Sequence, residues 1–273
     1  LYAVWLCTHI ITAEDLIDFS KIVNSGTSYE GTTVFLGADI DFSGDLSEQF
    51  VPIGKNEWNR YFQGTFDGQG HTISNLAIDS SSQYAGLFGY SNGATIKNAV
   101  LDSSCSVVNS FSDSDYGYIG GITGYCRDCK IEDAVNMANV SFTGSIDWNL
   151  YLGGIAGYLY AFNKDVTVKN CANYGSVTHS GEAKYADIGG IVGYSYVISS
   201  NSAYIQNCFN YGTVTHNGTT ASPLYVGGIL GHVAYGTNNI ENCVSGGKIT
   251  LNKQDNCYIG SVVGSISDTS DII

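Results

Sequence analysis

The sequence predicts an all-β protein: a right-handed parallel β-helix of about six coils, three short strands per coil, with an N-terminal capping helix. Three observations predict it. Nearly the same phrase is written six times, as Tyr84-Ala-Gly-Leu-Phe-Gly89, Ile119-Gly-Gly-Ile-Thr-Gly124, Leu152-Gly-Gly-Ile-Ala-Gly157, Ile188-Gly-Gly-Ile-Val-Gly193, Val226-Gly-Gly-Ile-Leu-Gly231 and Ile259-Gly-Ser-Val-Val-Gly264. The closing glycines stand 33 to 38 residues apart, a spacing at which each unit cannot bury its own apolar face and must stack on its neighbours. Two further phrases trail each glycine phrase: Ile96-Lys-Asn98, Ile131-Glu-Asp133, Val168-Lys-Asn170, Ile205-Gln-Asn207 and Ile240-Glu-Asn242, then Val107, Val140, Gly175-Ser-Val177, Gly212-Thr-Val214 and Gly247-Lys-Ile249. Composition agrees, with 34 Gly, 20 Tyr and only 13% charged residues, and no apolar stripe of helical period runs through the glycines.

The elements follow in order. Residues 1–11 are apolar but too short to span a bilayer, carry no basic leader, and read as a first strand. Because the chain starts without Met and already in register, it reads as a processed or excised piece of something longer. Thr12 is placed to cap a helix whose first turn holds Glu14 and Asp15; Leu16, Ile17, Phe19, Ile22 and Val23 share one face, and Asn24-Ser25-Gly26 stops it. Such a helix covers the first open coil, where a bare sheet edge would invite aggregation. Thr33 to Leu36 and Ala38 to Phe42 read as short strands, and Phe62 to Ile78 as the first full turn. The domain division is therefore 1–61 as the N-terminal cap and 62–273 as the β-helix.

Stacked coils bring equivalent residues into columns about 4.8 Å apart. Ile122, Ile155, Ile191, Ile229 and Val262 are expected to make one inward ladder, and Ile119, Leu152, Ile188, Val226 and Ile259 another, with the Gly-Gly pair forming a bend that lets backbone pass close or take positive φ. Asn98, Asn170, Asn207 and Asn242 are expected to stack at a corner, amide on amide. Cys171, Cys208 and Cys243 follow them and read as a column of small buried thiols, not a metal or redox centre. Cys126-Arg-Asp-Cys129 has the spacing of redox and zinc motifs but no second pair, so a loop disulfide, or a link to Cys105, is the reading. Tyr118, Tyr151, Tyr225 and Tyr258 precede the glycine phrase, and Tyr90, Tyr125, Tyr158 and Tyr194 follow it, with His232 continuing the column. Such rows suit a strip for sugar rings or a protein partner, and equally suit aromatic ladders that only brace the sheet. His179 and His216, one coil apart, are too few for a metal site.

A net charge of −14 with scattered Lys and Arg argues against nucleic acid or an anionic membrane as partner. Eight cysteines without a zinc pattern point to an oxidising compartment, and Asn139 and Asn217 open N-glycosylation sequons.

These phrases resemble the GLUG repeats of large bacterial and protist surface or secreted proteins, a resemblance that covers essentially the whole chain. Ile11 to Gly26, Ala38-Asp-Ile-Asp41, Pro52-Ile-Gly54 and Phe62 to Leu76 resemble the family's lead-in segment; Leu87, Ile122, Ile155, Ile191, Ile229 and Val262 sit in the repeat core, and Ser261 departs from Gly-Gly in the last copy. The resemblance implies a surface or secreted protein. Some members of that family precede a metallopeptidase that cleaves immunoglobulin A, but the His-Glu-x-x-His zinc motif is absent from this sequence.

No enzyme is expected. Asp39, Asp41 and Asp45 are close in sequence, as are Asp113 and Asp115, yet each group lies in the cap or a Ser-rich loop; serine-elbow, phosphate-loop and dinucleotide fingerprints are missing. The expectation is a non-catalytic extracellular solenoid of cell-surface architecture or adhesion, needing no cofactor or metal and meeting a protein or glycan ligand. Two alternatives stand beside it. One is a structural subunit stacking end to end, because the residues after Gly264 are too few to cap an open coil. The other is a glycan-binding module of a larger secreted enzyme.

Overall fold

A computed structural model describes residues 8–44, 46–198, 200–221, 223–252, 256–267 and 270–272. Each glycine phrase turns a corner between two strands. In one winding, Thr123–Arg127 is followed by Lys130–Glu132, Val135–Asn136, Asn139–Phe142 and Ser145–Gly153, after which Ala156–Ala161 begins the next. These five segments define faces I to V, and each pairs in parallel with its equivalent one winding on: Tyr125 with Tyr158, Ile131 with Val168, Val135 with Ala172, Val140 with Val177, and Leu150 with Ala186. The chain is a parallel β-solenoid. Face III counts seven strands, one per winding, while Leu230–Glu241 runs through faces I and II and joins them into a 14-stranded sheet.

The three strands per coil expected from the phrases become five. The glycine phrase itself is split across faces V and I, and face III is a two-residue strand too brief to show a period of its own. Otherwise the columns stand as anticipated: Ile119, Leu152, Ile188, Val226 and Ile259 are in register, and Ile122, Ile155, Ile191, Ile229 and Val262 are joined amide to carbonyl. All but the final pair are fully buried.

The helix runs Ala13–Asn24 with a reciprocal cap: the Asp15 amide donates to Thr12 Oγ1 at 3.1 Å and the Thr12 amide to Asp15 Oδ2 at 3.0 Å. It buries Leu16, Ile17, Phe19 and Val23, and Phe19 meets Tyr29 and Phe62 edge-on at 5.0 and 5.6 Å. Of the expected first strand, residues 1–7 lie outside the described residues; His9–Ile10 pairs with Phe35–Leu36. Thr33–Leu36 and Ile40–Asp41 extend faces II and III, so the ladders continue into the cap.

At the corner between faces II and III, Asn98, Asp133, Asn170, Asn207 and Asn242 all take left-handed backbone, φ 52–55°. Asn and Asp tolerate that region best among residues with a Cβ. Their side chains link winding to winding, Asn170 to Asp133 at 3.0 Å, Asn207 to Asn170 at 3.0 Å and Asn242 to Asn207 at 3.2 Å.

A second asparagine ladder went unread in the sequence. Asn136, Asn173 and Asn210 point inward from face III and are fully buried. Asn136 Nδ2 donates to Asn173 Oδ1 at 2.8 Å and to Ala138 O at 2.9 Å, and Asn173 Nδ2 donates to Asn210 Oδ1 and Gly175 O, both at 2.9 Å. The signal was present, since Asn173 and Asn210 each stand two residues before a glycine.

Candidate functional site

The tyrosines predicted as a binding strip form two columns on neighbouring faces, V and I. On face V, Tyr84 stacks on Tyr118 at 5.0 Å and 4°, and Tyr118 on Tyr151 at 5.3 Å. On face I, Tyr90, Tyr125 and Tyr158 stack at 4.7 and 4.8 Å with rings within 8° of parallel, and Tyr194 follows at 4.9 Å. The columns also meet each other edge to face, as Tyr118 with Tyr125 at 5.0 Å and Tyr151 with Tyr158 at 4.9 Å. Ring faces are thereby spent on other rings: Tyr90 and Tyr151 are 6% exposed and Tyr194 9%, whereas Tyr258, at the last winding, is 51% exposed. Burial pushes the phenols of Tyr84, Tyr118, Tyr125, Tyr151, Tyr158 and Tyr194 well above the ordinary range.

The face V column is broken by one residue. Asp187 takes the place of a tyrosine between Tyr151 and Tyr225 in register and is only 1% exposed. Its Oδ1 lies 3.1 Å from Nδ1 of His232, which stands in the face I column, and His232 Nε2 lies 3.1 Å from Ser267 Oγ. Burial raises the Asp187 carboxyl, and the hydrogen bond to His232 pulls it back. Tyr225 lies on the His232 ring at 4.2 Å, and a hollow of ≈ 210 Å³ opens beside them, lined in part by Tyr194 and Pro223. Carboxylate, imidazole and hydroxyl thus stand in the order used for acyl transfer. The hydroxyl is not set in that machinery, however: Ser267 lines no part of the hollow, and its amide, a natural oxyanion donor, is committed to Val233 O at 2.9 Å. The line instead ties three consecutive windings together.

The remaining sequence candidates scatter. Cys126 and Cys129 are free thiols, so the expected disulfide is not formed, nor is one to Cys105. Both are fully buried; Cys129 Sγ donates to Arg127 O at 3.0 Å, and burial next to Cys129 pushes the Cys126 thiol well up. Cys171, Cys208 and Cys243 are likewise free, each donating to a main-chain carbonyl of the preceding winding. Among the described residues no group of three or more His, Cys, Asp or Glu could hold a metal ion. Asn139 is exposed but its Oδ1 accepts from Ser176 N and Oγ; Asn217 is exposed at a turn. Asp39, before the Ile40–Asp41 strand, and Asp41, at its end, are acceptors for Thr72 N at 2.9 Å and Asn75 Nδ2 at 2.8 Å, while Asp45 lies outside the described residues. Asp113 and Asp115 cap the amides that follow them.

His179 and His216 are fully buried, their Nδ1 atoms 2.8 Å apart and both Nε2 atoms without a partner. One ring donates and the other accepts, so the accepting ring is neutral. Desolvation and the neighbouring ring depress His179 to about 3, and desolvation also lowers His216.

What these faces define is a parallel β-solenoid whose polar groups are mostly turned to holding winding on winding. No family model matches the chain, so the resemblance to GLUG repeats rests on the phrases alone. In sequence the chain is similar to Halomucin from Haloquadratum walsbyi, 32% identical over 152 residues, which is 53% of this chain and 2% of that protein. In structure it is similar to a Bacteroides ovatus protein proposed to be an immunoglobulin A1 protease, with a TM-score of 0.66 and 23% identity over 97% of this chain and 73% of the other. At that identity the likeness is one of fold. Among the described residues no helix is long and apolar enough to cross a membrane.

Proposed function

We propose that the chain is part of a non-catalytic extracellular solenoid serving in cell-surface architecture or attachment. The observation that carries this reading is how the polar and aromatic columns are used. Outer asparagines, inner asparagines, tyrosine rings and the Asp187–His232–Ser267 line all bond from one winding to the next. Such a body is stiff along its axis and displays its loops at fixed spacing, which suits a spacer or a display rod. The likeness to Halomucin, a name that denotes a mucin, supports a place outside the cell. The net charge of −14 keeps such a rod dispersed.

The test is location. Antibodies raised against the purified chain should label intact, unpermeabilised source cells or their medium. Labelling that appears only after permeabilisation overturns the proposal.

A further inference from the structure

The least covered large apolar side chain among the described residues is Trp58, 86% exposed. It is not on a slack loop. The Lys55 amide donates to Arg60 O at 2.6 Å, the Arg60 amide to Glu57 O at 3.0 Å, and the Arg60 guanidinium pairs with Glu57 at 2.5 Å. The turn is also anchored to the solenoid, since Asn56 Nδ2 donates to the Tyr84 hydroxyl at 3.0 Å and the Gly54 amide to Asn24 Oδ1 at 3.0 Å. At Gly54 itself, φ is 86° and a Cβ would stand 2.1 Å from Tyr90 O, so no other residue fits the root of this loop. A braced turn that holds an indole in water is a preorganised contact.

A hollow of ≈ 350 Å³ lies beside the indole, lined by Trp58, Tyr61, Asn56, Asn92 and Arg127 among others. Arg127 spreads its guanidinium over the Phe162 ring at 4.1 Å, and its buried Nε, which makes no hydrogen bond, stands 4.0 Å from the Asp128 carboxylate. The one carboxylate on the hollow, Glu57, is already neutralised by Arg60. In a chain of net charge −14, both arginines of the sequence thus sit at this spot. An exposed aromatic plane stacks on the apolar face of a sugar ring, carboxamides meet its hydroxyls, and an arginine fork takes a carboxylate.

We propose that the Trp58–Arg127 hollow binds a carboxylated sugar unit of the glucuronic-acid class. This deepens the attachment reading and rests on it. Titrating the full chain with methyl β-glucuronide, followed by tryptophan fluorescence and calorimetry, should give saturable binding, with methyl β-glucoside at least about tenfold weaker for want of the charge. Trp58→Ala should abolish binding without moving the thermal midpoint, because the side chain is exposed. Arg127→Gln should erase the preference for the acid, and Tyr211→Phe, which lines no part of the hollow, should change nothing. No binding of the glucuronide, equal binding of the neutral sugar, or full binding by Trp58→Ala each overturns the assignment. Surface labelling of cells would be untouched by such a failure, so the site and the attachment reading fall separately.

Discussion

Gly154 and Asn173 are made for each other: a Cβ on Gly154 would lie 2.4 Å from the carboxamide carbon of Asn173 and 2.2 Å from Gly190 O. The same holds one winding either way, where a Cβ on Gly121 would meet the Asn136 amide at 2.6 Å and one on Gly190 the Asn210 amide at 2.2 Å. In these three phrases the second glycine is thus the vacancy into which the buried asparagine fits, outside the left-handed φ range. Gly154→Ala should destabilise by about 1–3 kcal/mol through overpacking, and Asn173→Ala by a similar amount, since it strands Gly175 O and the Asn136 amide. Urea midpoints of the two single variants and the double variant would measure this. Additive losses would show that the two positions do not act as a pair.

The His179–His216 pair sets an acid limit. The unfolded rings titrate near the ordinary value of 6.5, while the folded His179 is held down to about 3. Protons therefore bind the unfolded chain more tightly, so the pair's contribution is complete above 6.5 and is lost as the pH falls from there toward 3. Phe142 and Leu251 occupy the same column on either side, which shows that apolar side chains fit it. Replacing both, His179→Phe with His216→Leu, should flatten the stability profile between neutral and acid pH. An unchanged profile would move the origin of acid sensitivity elsewhere.

Breaking the Asp187–His232 contact should be costly. His232→Ala leaves a carboxyl that is 1% exposed without its partner, a loss on the order of 3 kcal/mol at neutral pH. If the line is structural, a serine-directed fluorophosphonate should leave Ser267 unmodified in the intact chain. A labelled Ser267, seen by peptide mass, would convert the line into a working acyl-transfer site.

Columns were legible wherever a residue type repeats at one position of the phrase. The isoleucine ladders, the corner asparagines and the tyrosine columns all announce themselves that way, because stacking demands like on like. What stayed hidden arises where the repeat is broken or where distant loops meet. Asp187 is a single departure in a tyrosine column, and its meaning depends on His232 and Ser267 standing one and two windings further on. Trp58 and Arg127 belong to different segments and share a hollow only because the cap loop folds against face I. The cysteines misled, since eight thiols suggest bridges, yet identical positions in parallel coils direct their Cβ atoms the same way.

The tyrosine columns set an alkaline limit with the opposite sign to the histidines. A phenol with an unfolded value of 10.0 that is raised on folding keeps its proton in the folded chain longer than in the unfolded one. The packing of these rings therefore contributes in full below pH 10 and drains away as the pH rises beyond it, when the unfolded chain gains by ionising. Desolvation is the first cause at every buried member, and neighbouring phenols add to it, so the columns should resist ionisation together. Raising the pH while recording the tyrosinate absorbance band should show the buried columns keeping their protons beyond pH 10. The buried set should then ionise in one step that coincides with loss of the β circular-dichroism signal. Gradual ionisation of all tyrosines with the sheet intact would mean that the ring columns are open to water.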